Sequence, residues 1–400
     1  MSQSVKLLLF GTAVGTVLVL SSISLSFASE WSGYISGEYR NFTDSPADPE
    51  QHGNNLSLSI QPEYFTDWDN GNQSFTFVPF VRWDENDAER THADIRELTW
   101  LKAANTWELR VGIRKLFWGV TESQHLVDII NQTDLVEASD GEEKLGQPMI
   151  NLALIKDWGT VDLFILPGFR ERTFPGDDGR LRSPLPVDTD NAIYESSQED
   201  RHIDYAARWA HALGDWDIGV SYFNGTSRDP RFIPNTGVTA LIPVYDLIEQ
   251  WGVDVQATLD NWLWKLEVIN RSGQGDSYSA MSGGFEYTFY GITGSQYDLG
   301  IISEIMHDDR GDNATTPFED DVLLGGRLTL NDEQSTEFLM GVIFDSNDST
   351  RLFSLESSRR FGDNWKATLE GQAFINIPNN DLLVGLKNDN YLQLEIVRYF

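Results

Sequence analysis

The chain has 400 residues, no cysteine and a formal net charge of −33, and aromatic side chains make up 12% of it. The negative charge repels phosphate and disfavours nucleic acid as a partner, and the lack of cysteine excludes disulfides and thiol chemistry. Many aromatic residues beside a large acidic excess favour a membrane barrel, where aromatic residues form girdles and acidic residues occupy the loops and a wet lumen. A soluble acidic β protein is the alternative with the same charge.

The N-terminus has the pattern of a cleaved signal peptide over residues 1–28. Lys6 precedes the apolar run of residues 7–20, and Ser26 and Ala28 supply the small side chains that a signal peptidase requires. An uncleaved anchor helix is the alternative interpretation. After this segment, no apolar run reaches the roughly 18 residues that a membrane-spanning helix needs. We therefore expect export, followed by a mature chain without membrane helices.

Period-two alternation recurs through residues 29–400, which we assign to a single domain. A clear case is Leu56, Leu58 and Ile60, which alternate with Ser57 and Ser59. Successive side chains of a strand point to opposite faces, so this pattern predicts strands with one apolar and one polar face. A β-sandwich also alternates. The alternation therefore predicts strands and leaves the choice between sandwich and barrel open.

The lengths of the links between candidate strands separate these two folds. Every second link is short, namely residues 103–105, 157–159, 213–215, 260–261, 331–333 and 362–364. The links between them are mostly longer, namely residues 118–146, 171–201, 224–243 and 307–319. Tight turns at one rim and long loops at the other are typical of a transmembrane barrel. We predict an all-β, antiparallel, up-and-down transmembrane barrel of about 18 strands, with about 16 as the alternative.

One long link has a motif of its own. Trp118-Gly119 follows a strand, and Asp128, Asn131 and Asp134 follow at intervals in the loop. This arrangement resembles a porin-like family, although the usual Asn-Pro step is Asn131-Gln132 here. The resemblance implies a channel whose loop bends into the pore. We expect an inward or capping loop around residues 119–146, since its apolar residues could pack either on the inner wall or against neighbouring loops.

The last strand resembles the C-terminal assembly signal of bacterial outer-membrane proteins. The chain ends at Phe400, and Leu392, Leu394 and Ile396 provide apolar residues at alternate positions before it. Arg398 departs from the pattern, because an apolar or aromatic residue is usual there. The resemblance implies a location in the outer membrane of a Gram-negative cell and recognition of Phe400 by the barrel assembly machinery.

Charged residues on the polar faces of the strands are expected to line the lumen. Our hypothesis is that a basic early sector faces a more acidic wall of later strands, since rings of one sign set ion selectivity in pores. The alternative is that these charges pair with one another and only brace the wall. The candidate pore-lining residues are Arg110, Arg114, Trp118, Asp128, Asn131, Asp134, Arg170, Arg172, Lys265, Glu286, Glu304 and Arg327.

Together these features predict a porin-like outer-membrane channel for passive diffusion of small polar or anionic solutes. Its partners would be outer-membrane lipid, lipopolysaccharide and the solute, and a homotrimer is one open oligomeric state. A closed structural or adhesive barrel is the alternative from another class, and an outer-membrane hydrolase is a lesser one. The sequence has no hydrolase motif and no histidine pair at metal-ligand spacing. We therefore expect no catalysis, no metal and no organic cofactor.

Overall fold

Closure of one large sheet defines the architecture. The computed structural model describes residues 28–400, so the predicted signal peptide lies outside the described residues except for Ala28. Eighteen strands of the described part form a single sheet, in which each barrel strand pairs antiparallel with the next. The first and last strands also pair, with Gly37 opposite Ile396. This closes the barrel and confirms the predicted fold.

All strands are numbered in chain order. The first half of the barrel comprises β1 (Ala28–Phe42), β2 (Asn54–Trp68), β3 (Gln73–Asp84), β4 (His92–Ala104), β5 (Trp107–Arg114), β6 (Gln147–Lys156), β7 (Gly159–Pro167), β9 (Ile203–Leu213) and β10 (Trp216–Thr226). The second half comprises β13 (Leu247–Leu259), β14 (Trp262–Gly273), β15 (Gly275–Phe289), β16 (Asp298–Asp308), β17 (Asp320–Thr329), β18 (Glu337–Asp345), β19 (Arg351–Phe361), β20 (Trp365–Ile375) and β21 (Tyr391–Tyr399).

The loops contain little further regular structure. Three short strands, β8 (Ile193–Tyr194), β11 (Arg231–Pro234) and β12 (Leu241–Tyr245), form a small separate sheet. The short 3₁₀ helices are Thr189–Asn191, Glu199–Arg201, Ile292–Gly294, Gly311–Asn313 and Leu382–Leu386. Within residues 28–400, no helix is long and apolar enough to cross a membrane.

The two rims differ in the length of their connections, as the sequence predicts. Residues 105–106 and 157–158 make tight turns at one rim, whereas residues 115–146, 168–202 and 227–246 make long loops at the other. Chain direction alternates from strand to strand, so successive connections fall at opposite rims.

One connection at the long-loop rim departs from this pattern. Gln274 alone joins β14 to β15. The flanking residues Gly273 and Gly275 adopt φ values of +105° and +89°, which only glycine takes at low cost. A Cβ atom on Gly273 would lie 2.1 Å from the carbonyl oxygen of Leu247. Two glycines therefore allow a tight turn where the neighbouring connections are loops.

The barrel is apolar outside and polar inside. Trp31 and Ile35 of β1 point outward and keep 66% and 51% of their surface exposed, whereas the inward-facing Ser36 and Glu38 keep 1% and 4%. A water-soluble protein has the opposite arrangement. An outward apolar surface around a polar interior is the arrangement of a barrel in lipid, and it leaves the lumen as the place for function.

The outward face generates a test of the lipid-facing assignment. Val253 pairs with Val220 and Val268 in the middle of three strands. We expect Val253→Arg to lower the free energy of unfolding in lipid vesicles by about 2–4 kcal/mol, because a charge near the bilayer centre is poorly solvated. The matched control is Ser272→Arg at the rim end of β14, for which about 0–1 kcal/mol is expected. Equal losses in equilibrium folding titrations would contradict the assignment.

Candidate functional site in the lumen

Residues 115–146, termed the inward loop, leave the end of β5 and enter the barrel. The backbone N–H of Val120 donates to Glu267 on β14 at 2.7 Å, and that of Glu122 donates to Glu304 on β16 at 2.9 Å. Both acceptors face the lumen and are fully buried, at 0% and 1% exposure. The loop therefore occupies the lumen and does not cap the barrel.

Glu267 holds the loop through several donors. Besides Val120, the backbone N–H groups of Thr121 and Val127 donate to its carboxylate, both at 3.1 Å, and the Thr121 hydroxyl donates at 2.8 Å. Gly119 fits this close approach, since its φ is +147° and a Cβ atom there would lie 3.0 Å from Glu267 Oε1. The Trp118-Gly119 step thus lets the backbone reach the wall.

Glu304 makes an equivalent set of contacts one turn of the loop further on. It accepts from the N–H groups of Glu122 and Ser123 at 2.9 and 2.8 Å and from the Ser123 hydroxyl at 2.7 Å. A buried carboxylate without donors would be costly, and charge-assisted hydrogen bonds are among the stronger ones. Glu267 and Glu304, termed the loop latch, therefore fix the position of the loop tip.

An apolar contact backs the latch. Side chains of the inward loop pack on inward-facing side chains of β6 to β15, which are buried beneath them. The cluster contains Trp118, Val127, Ile129, Ile130, Met149, Phe164, Leu166, Ala206, Phe223, Ile248, Ile269, Tyr278 and Ala280. Burial of this surface gives the loop a hydrophobic seat on one side of the lumen.

The opposite side of the lumen stays in contact with water. On the inward faces of β17 to β21, termed the open sector, the Arg327 side chain keeps 32% of its surface exposed. Glu356 is exposed, and Glu370 and Glu395 are half-buried. The inward loop therefore leaves its free space beside the open sector.

The second half of the inward loop contacts the early strands. Glu137 pairs with Arg82 on β3 at 2.8 Å, and Asp134 pairs with Arg96 on β4 at 2.6 Å. These side chains are buried or nearly so. Removing one partner of a buried ion pair strongly destabilises a protein, because the other charge is left buried without a partner. The loop is thus held by the early strands β3 and β4 as well as by β14 and β16.

The tip of the loop carries an ion-pair network that unites three of the predicted residues. Glu122 lies 3.2 Å from Lys265 Nζ and 2.9 Å from Arg327 Nη2. Glu286 approaches the same arginine at 3.6 Å. Burial raises the pKa of Glu122, but the two cations outweigh it and hold that pKa below its usual value. Glu122 itself is a site residue that the sequence did not single out.

The four predicted arginines of the early sector separate into two places. Arg110 and Arg114 lie on the inner wall of β5, where both donate to Asn151, at 3.2 and 3.3 Å. Arg110 also pairs with Glu108. The other two, Arg170 and Arg172, lie in the loop of residues 168–202. Their partners are Asp94, at 2.9 Å from Arg170, and Asp229, at 2.6 Å from Arg172.

Burial corrects the pore-lining assignment for several other predicted residues. Asn131 shows the reason, because its side chain donates to the carbonyls of Arg114 and Leu145 and accepts from the N–H of Leu116. A loop inside a barrel must satisfy its own backbone, so polar side chains are used within it. The buried residues are Trp118, Asp128, Asn131, Asp134, Lys265 and Glu304.

Glu267 was the most important residue that the motifs did not reveal. Alternation along β14 places its side chain inward together with Lys265 and Ile269, but the pattern contains no sign that a loop from a distant strand would meet it. The role of Glu267 becomes visible in the structure, where the backbone of Gly119 comes close to its carboxylate. Within the described residues, no three metal-ligating side chains are arranged to hold a metal ion.

His125 lies between two carboxylates at the base of the loop tip. Its Nε2 is 3.0 Å from Glu142, and its Nδ1 is 3.9 Å from Glu267. Burial disfavours the charged imidazolium, but these carboxylates outweigh it and raise the pKa of His125 to about 10. The side chain therefore carries a positive charge at neutral pH and braces the loop.

Comparisons with known proteins give no family for this chain. No family model and no curated protein matches the chain. Two substituted forms of the porin of Rhodopseudomonas blastica each match with a TM-score of 0.44 and 12% identity, covering 93% of this chain and 100% of theirs. A structure described as "Asymmetric conductivity of engineered proteins" matches with the same values.

The loop latch generates the first prediction about the site. We expect Glu267→Gln and Glu304→Gln to speed amide hydrogen exchange at residues 120–127, because each loses charge-assisted hydrogen bonds worth about 1.5–3 kcal/mol. That loss corresponds to a roughly 10- to 100-fold faster exchange through local opening. Glu286→Gln is the matched control, since its carboxylate contacts no loop amide. Unchanged exchange in both latch variants would show that the latch does not hold the loop.

The second prediction concerns the charge of His125. A raised folded-state pKa means that its stabilising contribution is complete below the unfolded value of about 6.5 and is lost as pH rises through about 10. An NMR titration with labelled histidine should place the His125 pKa near 10. Glu142→Gln should lower that pKa, because it removes one of the two carboxylates. A midpoint near the ordinary value in both proteins would refute the assignment.

Proposed function

We propose that the protein is a porin-like outer-membrane channel through which small polar solutes diffuse passively. The observation that carries this proposal is the position of the inward loop, which is latched to one side of the lumen and leaves a polar, partly exposed wall on the other. Barrels of eight strands are filled by their own side chains, whereas wider barrels have room for a lumen. Eighteen strands enclose this one.

The narrowest part of the passage is assigned to the space between the loop tip and the open sector. There Glu122, Glu286 and Arg327 place both signs of charge on the path. Such groups exchange hydrogen bonds with a passing polar solute, and they set size and charge limits together. The anionic solutes suggested by the sequence receive less support, because the early arginines are bound to neighbouring groups.

Phe400 supports the proposed route of assembly. Its backbone N–H donates to the carbonyl of Gly33 at 3.0 Å, next to the seam where β1 meets β21. The aromatic side chain is 53% exposed on the outside and is therefore accessible to an assembly machine at the place where the barrel closes. Contacts with lipopolysaccharide and formation of a homotrimer stay predictions.

One observation favours the second candidate, a closed structural or adhesive barrel. Arg180, in the loop of residues 168–202, pairs with Asp389 in the loop before β21 at 2.7 Å. The long loops therefore meet over the mouth of the barrel. If they seal it, the surface they form would be the functional part. No geometric feature favours the hydrolase alternative.

A single pair of cysteines separates the open channel from the closed barrel. The hydroxyl oxygens of Ser123 on the loop tip and Ser282 on β15 are 3.0 Å apart. The natural chain contains no cysteine that could form a competing disulfide. We expect Ser123→Cys with Ser282→Cys to form a disulfide that holds the loop in its seat. The oxidised protein should show stable conductance steps in planar bilayers, equal to those of the reduced and unsubstituted proteins.

Two other outcomes would contradict the proposal in different ways. Silence in all three proteins, with correct folding shown by heat-dependent gel mobility, would favour the closed barrel. Conductance that appears only after reduction would mean that the seated loop is a plug and that the described arrangement is not the conducting one.

A further inference from the structure

We propose that the passage selects cations over anions, with Glu356, Glu370 and Glu395 of the open sector as the residues that set the selectivity. This inference rests on the proposed channel function and deepens it by naming the class of solute. It replaces the small polar or anionic solutes of the sequence-based prediction with cations. Three features support it: basic side chains that are bound to other groups, carboxylates that form no ion pair, and an acidic residue of the inward loop.

The first step is that basic side chains on the covered side of the lumen are occupied. Six of them contact a specific carboxylate, so they add little free positive charge to the water beside the loop, whereas Arg114 donates to the neutral amide of Asn151. The pairs are Arg82–Glu137 (2.8 Å), Arg90–Glu38 (2.8 Å), Arg96–Asp134 (2.6 Å), Arg208–Asp254 (2.5 Å), Arg228–Asp204 (2.7 Å) and Lys265–Glu122 (3.2 Å).

The second step concerns three carboxylates that form no ion pair, termed the carboxylate arc. Glu356 on β19 is the direct cross-strand partner of Glu370 on β20, and Glu395 on β21 is the partner of Glu38 on β1. Like charges directly opposite one another destabilise a sheet. Glu38 has arginine partners, but within residues 28–400 no basic side chain forms an ion pair with Glu356, Glu370 or Glu395.

Several basic residues lie near the arc, and Arg40 and Arg82 among them pair with Glu38. Arg360 and Lys366 are cross-strand partners nearer the short-turn rim, and the Arg360 guanidinium lies over the Tyr399 ring at 5.7 Å. Arg327 is engaged by Glu122 and Glu286 at the loop tip. At Glu356 and Glu370, the open sector therefore carries negative charge that no ion pair among the described residues compensates.

The third step is that the inward loop adds one carboxylate without an ion pair near the arc. Glu142 pairs with His125 at 3.0 Å, and Glu143 pairs with Lys115 at 3.3 Å. Asp140 has no such cation partner among the described residues, and its charge acts on Glu370. Asp140 therefore adds to the negative charge of the arc, and acidic side chains around the path are what cation channels use.

The arrangement indicates an electrostatic filter and not a bound metal. No set of three ligating side chains in the described residues is positioned around one ion. Fixed carboxylates beside low-dielectric walls instead raise the local concentration of cations and lower that of anions. The field reaches about 10 Å at 0.1 M salt but only about 3 Å at 1 M, so the selectivity should weaken as the salt concentration rises.

The experiment measures reversal potentials of the full barrel in planar bilayers under a KCl gradient. We expect the unsubstituted protein to pass K⁺ several-fold better than Cl⁻, and Glu356→Gln, Glu370→Gln and Glu395→Gln together to bring this ratio close to one. The triple variant should fold, because neutral side chains relieve the repulsion between cross-strand partners. Heat-dependent gel mobility checks that it does.

The matched control changes the same charge elsewhere. Glu50, Glu85 and Glu333 are exposed outside the lumen-facing sheet, so their joint replacement by Gln should leave the K⁺/Cl⁻ ratio unchanged. A preference of the unsubstituted protein for Cl⁻, no preference at low salt, or an equal loss in the control would overturn the inference while leaving the channel intact. Absence of any conductance would instead refute the proposed function itself, and the filter with it.

Discussion

Closure of the sheet between β1 and β21 is the constraint on which the other features depend. In a closed ring, the backbone N–H and C=O groups of every strand form hydrogen bonds with both neighbouring strands. The outer face can therefore be apolar and contact lipid without an exposed edge. The polar residues of each strand must then point inward, as Ser36 and Glu38 do. Any loop that enters this interior meets hydrogen-bonding side chains, and its own backbone groups need partners there.

The loop latch is a direct consequence of this requirement. Amide groups from residues 120–127 would be left without acceptors inside the barrel, and Glu267 and Glu304 provide carboxylates at the points where the loop passes. The same wall supplies an apolar seat beneath the loop. The two contributions differ in kind: the apolar seat holds the loop on one side, whereas the directional hydrogen bonds determine where its tip lies.

The sequence predicted those features that depend on local periodicity, and it missed those that depend on long-range contact. Alternation and link length gave the barrel, its strand number and the long loop between β5 and β6, because both follow from neighbouring residues. The β14–β15 turn was not foreseen, since it depends on positive φ at Gly273. Asp134 and Glu304 were predicted to line the pore, but both are buried in contacts with a distant segment, which no local pattern encodes.

Two pairs of cross-strand glutamates in the same barrel show how local repulsion depends on its surroundings. The Glu38–Glu395 pair lies beside Arg40, Arg82 and Arg90, each of which approaches Glu38 within 3.6 Å. The Glu356–Glu370 pair has no arginine at ion-pair distance among the described residues. The first pair lies beside the contact between the early strands and the inward loop, where cations brace a fixed structure. The second pair faces the free space, where water and mobile cations screen it, and a bound arginine would remove the field that a passing ion experiences.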